Sequence, residues 1–165
     1  MDGKNQLKTS QGVYVIVLKI VHPYVIDTKR FKWILKAGYY LYFGSARGKT
    51  STSLENRLAR HFRFQKKIFW HIDYITSNSD TKIINAFYSV KPDITECSAF
   101  QEFKQNFQDV IIIPNFGSTD CKSYCGGHLF FLSPNQAVLP SLGDYFSSKN
   151  WKASTNEGNS ISFLN

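Results

Sequence analysis

GVYVIVLKIV, residues Gly12 to Val21, decides the fold class. Its β-branched residues, its shortness and its nearly unbroken apolar character do not suit an amphipathic helix, so it reads as a central strand. Phe31–Leu35 and Tyr39–Phe43 read as two further strands, with Ala37-Gly38 between them as a tight turn signal. Three antiparallel strands therefore come first. Ser45–Ser51 is rich in Gly, Ser, Thr and Lys, and after it Thr52-x-x-Glu55 has the form of a capping box opening a helix that runs to about Phe64.

Lys67–Thr76 fits either a helix or a strand, whereas Lys82–Val90 alternates as a strand does. Asp93-x-x-Glu96, just after Pro92, has the form of a second capping box, and its helical pattern continues to about Phe107. Val110–Ile113 is a strand-like run. A loop crowded with Gly, Ser, Asp and Cys follows from Pro114 to Gly127, then a short strand at Leu129–Leu132 and a helix within Pro134–Phe146. The expected class is α+β: a small three-stranded antiparallel sheet flanked by helices, with extra C-terminal strand and helix elements. One domain is expected over residues 1–146, with a polar tail over 147–165.

At 165 residues, 42% of them hydrophobic, the chain can bury a sizeable single core. It has no run of eighteen apolar residues, and MDGKNQLKTS lacks the order of a signal peptide, so the expectation is a soluble cytoplasmic protein with no membrane partner. Three cysteines, an odd number, argue against a disulfide framework. The net charge of +8 is unevenly placed: eleven basic residues lie between Lys29 and Lys67 against the single acid Glu55, a local net of +10. Tyr39, Tyr40, Tyr42, Phe62 and Phe64 share that segment. Concentrated positive charge with aromatic surfaces suits a nucleic-acid backbone, with Arg47, Lys49, Arg60, Arg63, Lys66 and Lys67 as the contact residues; the plainer alternative is a solvated, solubilising face.

Projected at 100° per residue, Leu54, Leu58 and Phe62 form the buried stripe of the first helix. Arg57 and His61 border it, while Arg60 and Arg63 point away. An arginine fork beside a histidine can hold a phosphate and exchange a proton, or the two can simply cover the core edge with their stems. On the later helix Phe100, Phe103 and Phe107 define an apolar face with Glu96 on its axis. Such a carboxylate either completes the Asp93 capping box or ligates a hard cation such as Mg²⁺. Tyr14 and Tyr42, on candidate strands, are ordinarily core residues with satisfied hydroxyls.

The order of these residues carries more than any one of them. Gly12-Val13-Tyr14, then Tyr42-Phe43-Gly44, then Arg57 with His61 four residues on, then Glu96 on a later helix, resembles the GIY-YIG nuclease superfamily over roughly Gly12 to Phe107. Trp70-His71-Ile72-Asp73-Tyr74, Phe116–Cys121 and His128-Leu129-Phe130 also resemble an uncharacterised single-domain branch of it. Phe43 in place of an aliphatic residue and a long stretch between the tyrosine motifs are departures. The resemblance implies a metal-dependent endonuclease acting on DNA, with Tyr14, Tyr42, Arg57, His61 and Glu96 catalytic and Glu96 holding one Mg²⁺ or Mn²⁺. Tyr14 would be the candidate base, its pKa lowered by Arg57 and the metal, with Tyr42 orienting the water or phosphate and His61 relaying the proton or hydrogen-bonding the phosphate; the residue types leave open which of them takes the proton. The alternatives are a non-catalytic nucleic-acid-binding module of the same fold and a zinc-stabilised interaction protein. Oligomeric state is not encoded in any motif.

Cys121-x-x-x-Cys125-x-x-His128 supplies three possible zinc ligands, with Cys97 or His71 as a fourth. The spacing lacks paired knuckles, so the expectation is a tight loop with buried thiols and no structural zinc, with Asp120 beside it approaching the cleft.

Overall fold

Alternate residues of β1 (Gly12–Ile20) face two separate cores, which is why the strand reads as one continuous apolar run. Tyr14, Ile16, Leu18 and Ile20 pack on one side and Val13, Val15 and Val17 on the other. The computed structural model describes residues 10–157 and 160–163. Along the chain follow β2 (Tyr24–Asp27), β3 (Lys32–Leu35), β4 (Gly38–Ala46), α1 (Leu54–Phe62), α2 (His71–Thr76), β5 (Thr81–Ser89) and α3 (Glu96–Asn106), then β6 (Ile111–Ile113), β7 (Leu129–Ser133), α4 (Val138–Ser148), β8 (Lys152–Glu157) and β9 (Ser160–Phe163).

The α+β class stands, but the sheet has seven strands, ordered β6-β7-β4-β1-β5-β8-β9, where three were expected. Every ladder in it is antiparallel. The third strand of the first meander is β5, paired to β1, while β3 leaves the sheet and pairs with β2 in a separate hairpin. β3 buries only Trp33 and Leu35 and leaves Ile34 70% exposed, so it has one core face where the central strands have two. The polar stretch after Ser147 is also not a tail as far as it is described: β8 pairs with β5 through Ala86 and Ser154. Backbone pairing, here with β5 on one side and β9 on the other, needs no apolar composition, so polarity there concealed a strand. Residues 1–9, which include the expected leaderless start, and 158–159 and 164–165 of the expected tail lie outside the described residues.

Helices cover both faces. Leu54 and Leu58 of α1 and Ile72 and Ile75 of α2 pack with Tyr14 and Ile16. Phe100 and Phe103 of α3 and Leu142 and Phe146 of α4 pack on the Val13 side, where the Phe100 and Phe130 rings stack at 4.2 Å. Each such side chain stabilises the fold by roughly 1.5–3 kcal/mol on burial. Among the described residues no helix is long and apolar enough to cross a membrane.

Neither expected capping box forms: the first has no counterpart and the second is displaced by two residues. α1 begins after Ser53, with no side-chain cap bond. α3 is capped by Thr95, whose hydroxyl accepts from the Ser98 backbone at 3.0 Å while Ser98 Oγ accepts from the Thr95 backbone at 2.9 Å. Glu96 is thereby released from the capping role.

Candidate functional site

β1 and β4 pair so that Tyr14 lies opposite Gly44 and Ile16 opposite Tyr42. The two tyrosines therefore share one face, two residue pairs apart along the ladder. Gly44 is where it is because Tyr14 crosses it: a Cβ at position 44 would stand 2.5 Å from the Tyr14 ring and hydroxyl. Gly12 serves its own strand similarly, since a Cβ there would meet the Ser89 carbonyl at 2.3 Å.

α1 lays His61 over this face. Its Nε2 is 2.8 Å from the Tyr14 hydroxyl, and both side chains are only 1% exposed. His61 is thus in the buried stripe itself, deeper than the border expected from the helical projection. Arg57, one turn earlier, donates from Nη1 to the Ser45 carbonyl at 2.9 Å and lies over the Trp70 ring at 4.7 Å. Its Nε is buried without a hydrogen-bond partner among the described residues, as is His61 Nδ1.

The pKa directions follow from burial. Tyr14 is pushed above the usual phenol range because desolvation outweighs the lowering by nearby Arg57. Tyr42 is raised as well, by burial and then by Tyr14 and Glu96. His61 is lowered to about 3, chiefly by burial and then by Lys66, Arg60 and Arg57. Both partners of the Tyr14–His61 bond are therefore uncharged at neutral pH. Arg57 and a bound metal are expected to lower the Tyr14 pKa: Arg57 does act in that direction, but desolvation is the larger effect and the phenol stays above its usual range.

β7 pairs with β4 only from Tyr39 to Tyr42, followed by one bond from the Phe43 N–H to the His128 carbonyl. Where β7 ends, the first turn of α3 and the loop from Pro114 to His128 close around the strand end. The result is a cavity of about 280 Å³ lined by Tyr14, Tyr42, Ser45, Arg47, Arg57, His61, Trp70, Glu96, Gly117 and Asp120. All five residues singled out as catalytic meet there. Among the described residues the Glu96 carboxylate has neither a hydrogen bond nor an ion pair.

The basic residues divide into two groups. Arg47 and Lys49 are exposed and line an adjoining hollow of about 460 Å³, and Arg47 also lines the cavity. Arg63 and Lys67 are exposed too. Arg60 instead pairs with buried Asp73 at 2.7 Å and lies over Trp70 at 4.8 Å, contrary to a side chain pointing away from the core. Lys66 donates to the carbonyls of His61 at 3.0 Å and Arg63 at 2.7 Å, closing the C-terminus of α1.

A second cluster lies behind Glu96. Cys97, Cys121, Cys125 and His128 bring their ligand atoms within 4.8 Å of one another. Cys125 Sγ is 3.0 Å from His128 Nε2 and 3.2 Å from Cys121 Sγ, and Cys97 Sγ is 3.1 Å from Cys121 Sγ. These separations are far beyond a disulfide's and all three cysteines are free. The four residues could hold a metal ion. Between the two fourth ligands left open by the sequence, the structure brings in Cys97, because His71 Nδ1 accepts from the Gly117 N–H at 3.0 Å. The expected loop with buried thiols and no metal set gives way to a complete one.

The chain belongs to the DUF123 family. That family, described as a domain of unknown function, matches residues 13–150. No curated protein and no solved structure matches the chain. The DUF123 match runs from β1 past α4, so it holds both tyrosines, Arg57, His61, Glu96 and all four residues of the Cys/His cluster, and stops before β8.

Sequence reasoning missed two structural supports of this site. Trp70 lies under both Arg57 and Arg60, and Asp73 fixes it by accepting from the Phe69 and Trp70 backbones at 2.9 and 3.0 Å. An aspartate three residues after a tryptophan, at a helix start, was the available signal.

Proposed function

We propose that this DUF123 chain is a divalent-metal-dependent nuclease of the GIY-YIG type that hydrolyses phosphodiester bonds in DNA. The observation that carries the reading is the convergence of Tyr14, Tyr42, Arg57, His61 and Glu96 on one polar cavity. The exposed Arg47, Lys49, Arg63 and Lys67 supply the positive surface on which a phosphate backbone would lie.

Glu96 would hold a Mg²⁺ or Mn²⁺ ion, which when bound supplies neutralisation of the phosphate and of the departing oxygen. Arg57, held by Ser45 and Trp70, is pre-oriented to stabilise charge building on the phosphate. A phenol that stays protonated cannot act as a free base. It can pass a proton on: the Tyr14 oxygen accepts from the attacking water while its own proton passes along the 2.8 Å hydrogen bond to His61 Nε2. Burial and then cationic Lys66, Arg60 and Arg57 disfavour protonation of His61, and an incoming phosphodiester brings the opposite charge that offsets the cations. Tyr42, protonated for the same reason of burial, donates to the water or the phosphate.

Three thiols and one imidazole suit zinc, whereas Mg²⁺ and Mn²⁺ prefer oxygen donors. The Cys97–His128 cluster is therefore read as a structural zinc centre separate from the cation at Glu96. It also favours a second reading, a zinc-stabilised interaction protein that binds nucleic acid without cutting it. Duplex, branched, damaged and single-stranded DNA and RNA, each incubated with Mg²⁺, Mn²⁺ or chelator, separate the two. Metal-dependent cleavage lost with Glu96→Gln supports the nuclease; salt-dependent binding with no cleavage of any substrate supports the second reading.

A further inference from the structure

Two residues of the Cys/His cluster directly follow the two carboxylates that line the cleft: Cys97 follows Glu96 and Cys121 follows Asp120. Glu96 stands on the first turn of α3 and Asp120 on the long β6–β7 loop, and no ladder joins these segments. The hydrogen bonds of the loop segment from Ser118 to Tyr124 stay within the loop or go to the thiols: Cys121 N–H donates to the Ser118 carbonyl at 3.0 Å, and Cys121 Sγ meets Cys97 and Cys125. Thr119, Asp120, Lys122, Ser123 and Tyr124 are exposed, Tyr124 by 94%, so apolar burial does not hold them either. The four-residue cluster is what ties the loop to α3.

We infer that one zinc ion on Cys97, Cys121, Cys125 and His128 positions Glu96 and Asp120 and thereby sets the hard-cation affinity of the cleft. This rests on the nuclease and zinc readings above. Zn–S bonds of about 2.3 Å and Zn–N bonds of about 2.0 Å in a tetrahedron place ligand atoms about 3.5–3.8 Å apart. The closest pairs here are 3.0–3.2 Å apart, Cys97 Sγ is 3.6 Å from Cys125 Sγ and 3.5 Å from His128 Nε2, and all four ligand atoms lie within 4.8 Å of one another, so small side-chain shifts, outward in the closest pairs and inward in the widest, admit the ion. Such an ion closes a covalent-strength link between α3 and the loop one residue from each carboxylate. The cysteines and His128 are positioning residues; Glu96 and Asp120 would meet the cation. Without the link, the ordering of the loop must be supplied by the cation itself, and its affinity falls.

The test uses the full chain expressed with zinc supplementation, metal analysis for zinc, and Mn²⁺ titration followed by electron paramagnetic resonance. Glu96→Gln defines the Mn²⁺ binding that belongs to the cleft. The parent should hold one zinc per chain. Cys121→Ser, at a partly exposed position, should lose zinc, remain folded and bind cleft Mn²⁺ at least tenfold more weakly, while His128→Cys should keep both zinc and Mn²⁺ affinity. Parent stripped of zinc with a chelator and dialysed gives the same comparison without a substitution, and re-added zinc should restore Mn²⁺ binding. Zinc-free protein that binds Mn²⁺ as tightly as the parent overturns the coupling alone. Parent protein without zinc overturns the zinc reading and the coupling with it, and zinc-loaded parent without Glu96-dependent Mn²⁺ binding overturns the nuclease's cation site and hence the coupling.

Discussion

The Tyr14 hydroxyl and His61 Nε2 stand 2.8 Å apart in the buried space between β1 and α1, linking residues 47 positions apart in sequence. Burial keeps both uncharged, which suits the proposed role of the pair as a relay and not as a charged base. Tyr14→Phe removes the relay and leaves an imidazole nitrogen without its partner. Cleavage should fall by roughly 10²–10⁴-fold, and stability by about 1–3 kcal/mol. Single-turnover kinetics and chemical denaturation check the two halves separately; a variant that cleaves like the parent rules the relay out.

The pH dependence of stability reports on His61. Its folded pKa is lowered to about 3 while the unfolded value stays near 6.5. Between those values the unfolded chain binds the proton that the folded chain refuses, so stability is fully present above about pH 6.5 and is lost as pH falls toward 3. Replacing His61 with Gln should flatten the Tm profile between pH 7 and pH 4 relative to the parent. Parallel profiles for the two proteins would show that another group governs acid sensitivity.

Glu96 and Thr95 are neighbours with separable roles. Since Thr95 and Ser98 make the cap, Glu96→Gln should change stability by less than about 0.5 kcal/mol yet abolish Mg²⁺-dependent cleavage while DNA binding survives. Thr95→Ala should do the reverse, costing about 1 kcal/mol with cleavage per folded molecule little changed. Thermal melts beside cleavage at limiting Mg²⁺ distinguish them, and Glu96→Gln cleaving at the parent rate would falsify the metal-ligand assignment.

Gly44→Ala places a methyl group 2.5 Å from the Tyr14 ring and hydroxyl. The strand cannot yield easily between β1 and the core, so Tyr14 must move. A cost of about 1–3 kcal/mol is expected, and cleavage should drop about as far as with Tyr14→Phe. Combining the two substitutions should add little to the loss of activity, because both act through one hydroxyl. Additive losses measured in the double variant would place the effect of Gly44 elsewhere.

The two groups of basic residues should separate by experiment. Arg47→Gln and Lys49→Gln should weaken DNA binding and each lower the salt slope of log K by about 0.9, leaving Tm unchanged. Arg60→Gln should destabilise by about 3–5 kcal/mol, since it leaves buried Asp73 with its backbone donors but without its ion-pair partner. Binding titrations at several salt concentrations, paired with melts, are sufficient; a salt slope unchanged in Arg47→Gln removes that residue from the interface.

Local pattern settled a good deal. The two-faced apolar run at Gly12–Ile20, the β4, β5, β6 and β7 strands, and the α1, α3 and α4 helices all announced themselves through composition and periodicity, because a buried face imposes its spacing on the chain. The five residues of the cleft were legible as well, through motif order. Terminal details were not: Thr52 and Asp93 match a capping pattern as well as Ser53 and Thr95 do, and only the turn actually formed selects between them.

Sequence alone thus determined which residue types stand on which strands and helices, since that depends on neighbours a few positions away. Tertiary structure decided what needs distant partners. It put β5 beside β1 and sent β3 to a separate hairpin, recruited polar residues 152–157 as a strand between β5 and β9, and brought Cys97 to Cys121, Cys125 and His128 across 24 to 31 residues of chain. It also reversed the electrostatics of Tyr14. The charge of Arg57 can be read from its letter, but the loss of water around a phenol enclosed by β1, β4 and α1 exists only once the chain has closed over it, and that desolvation is the larger effect.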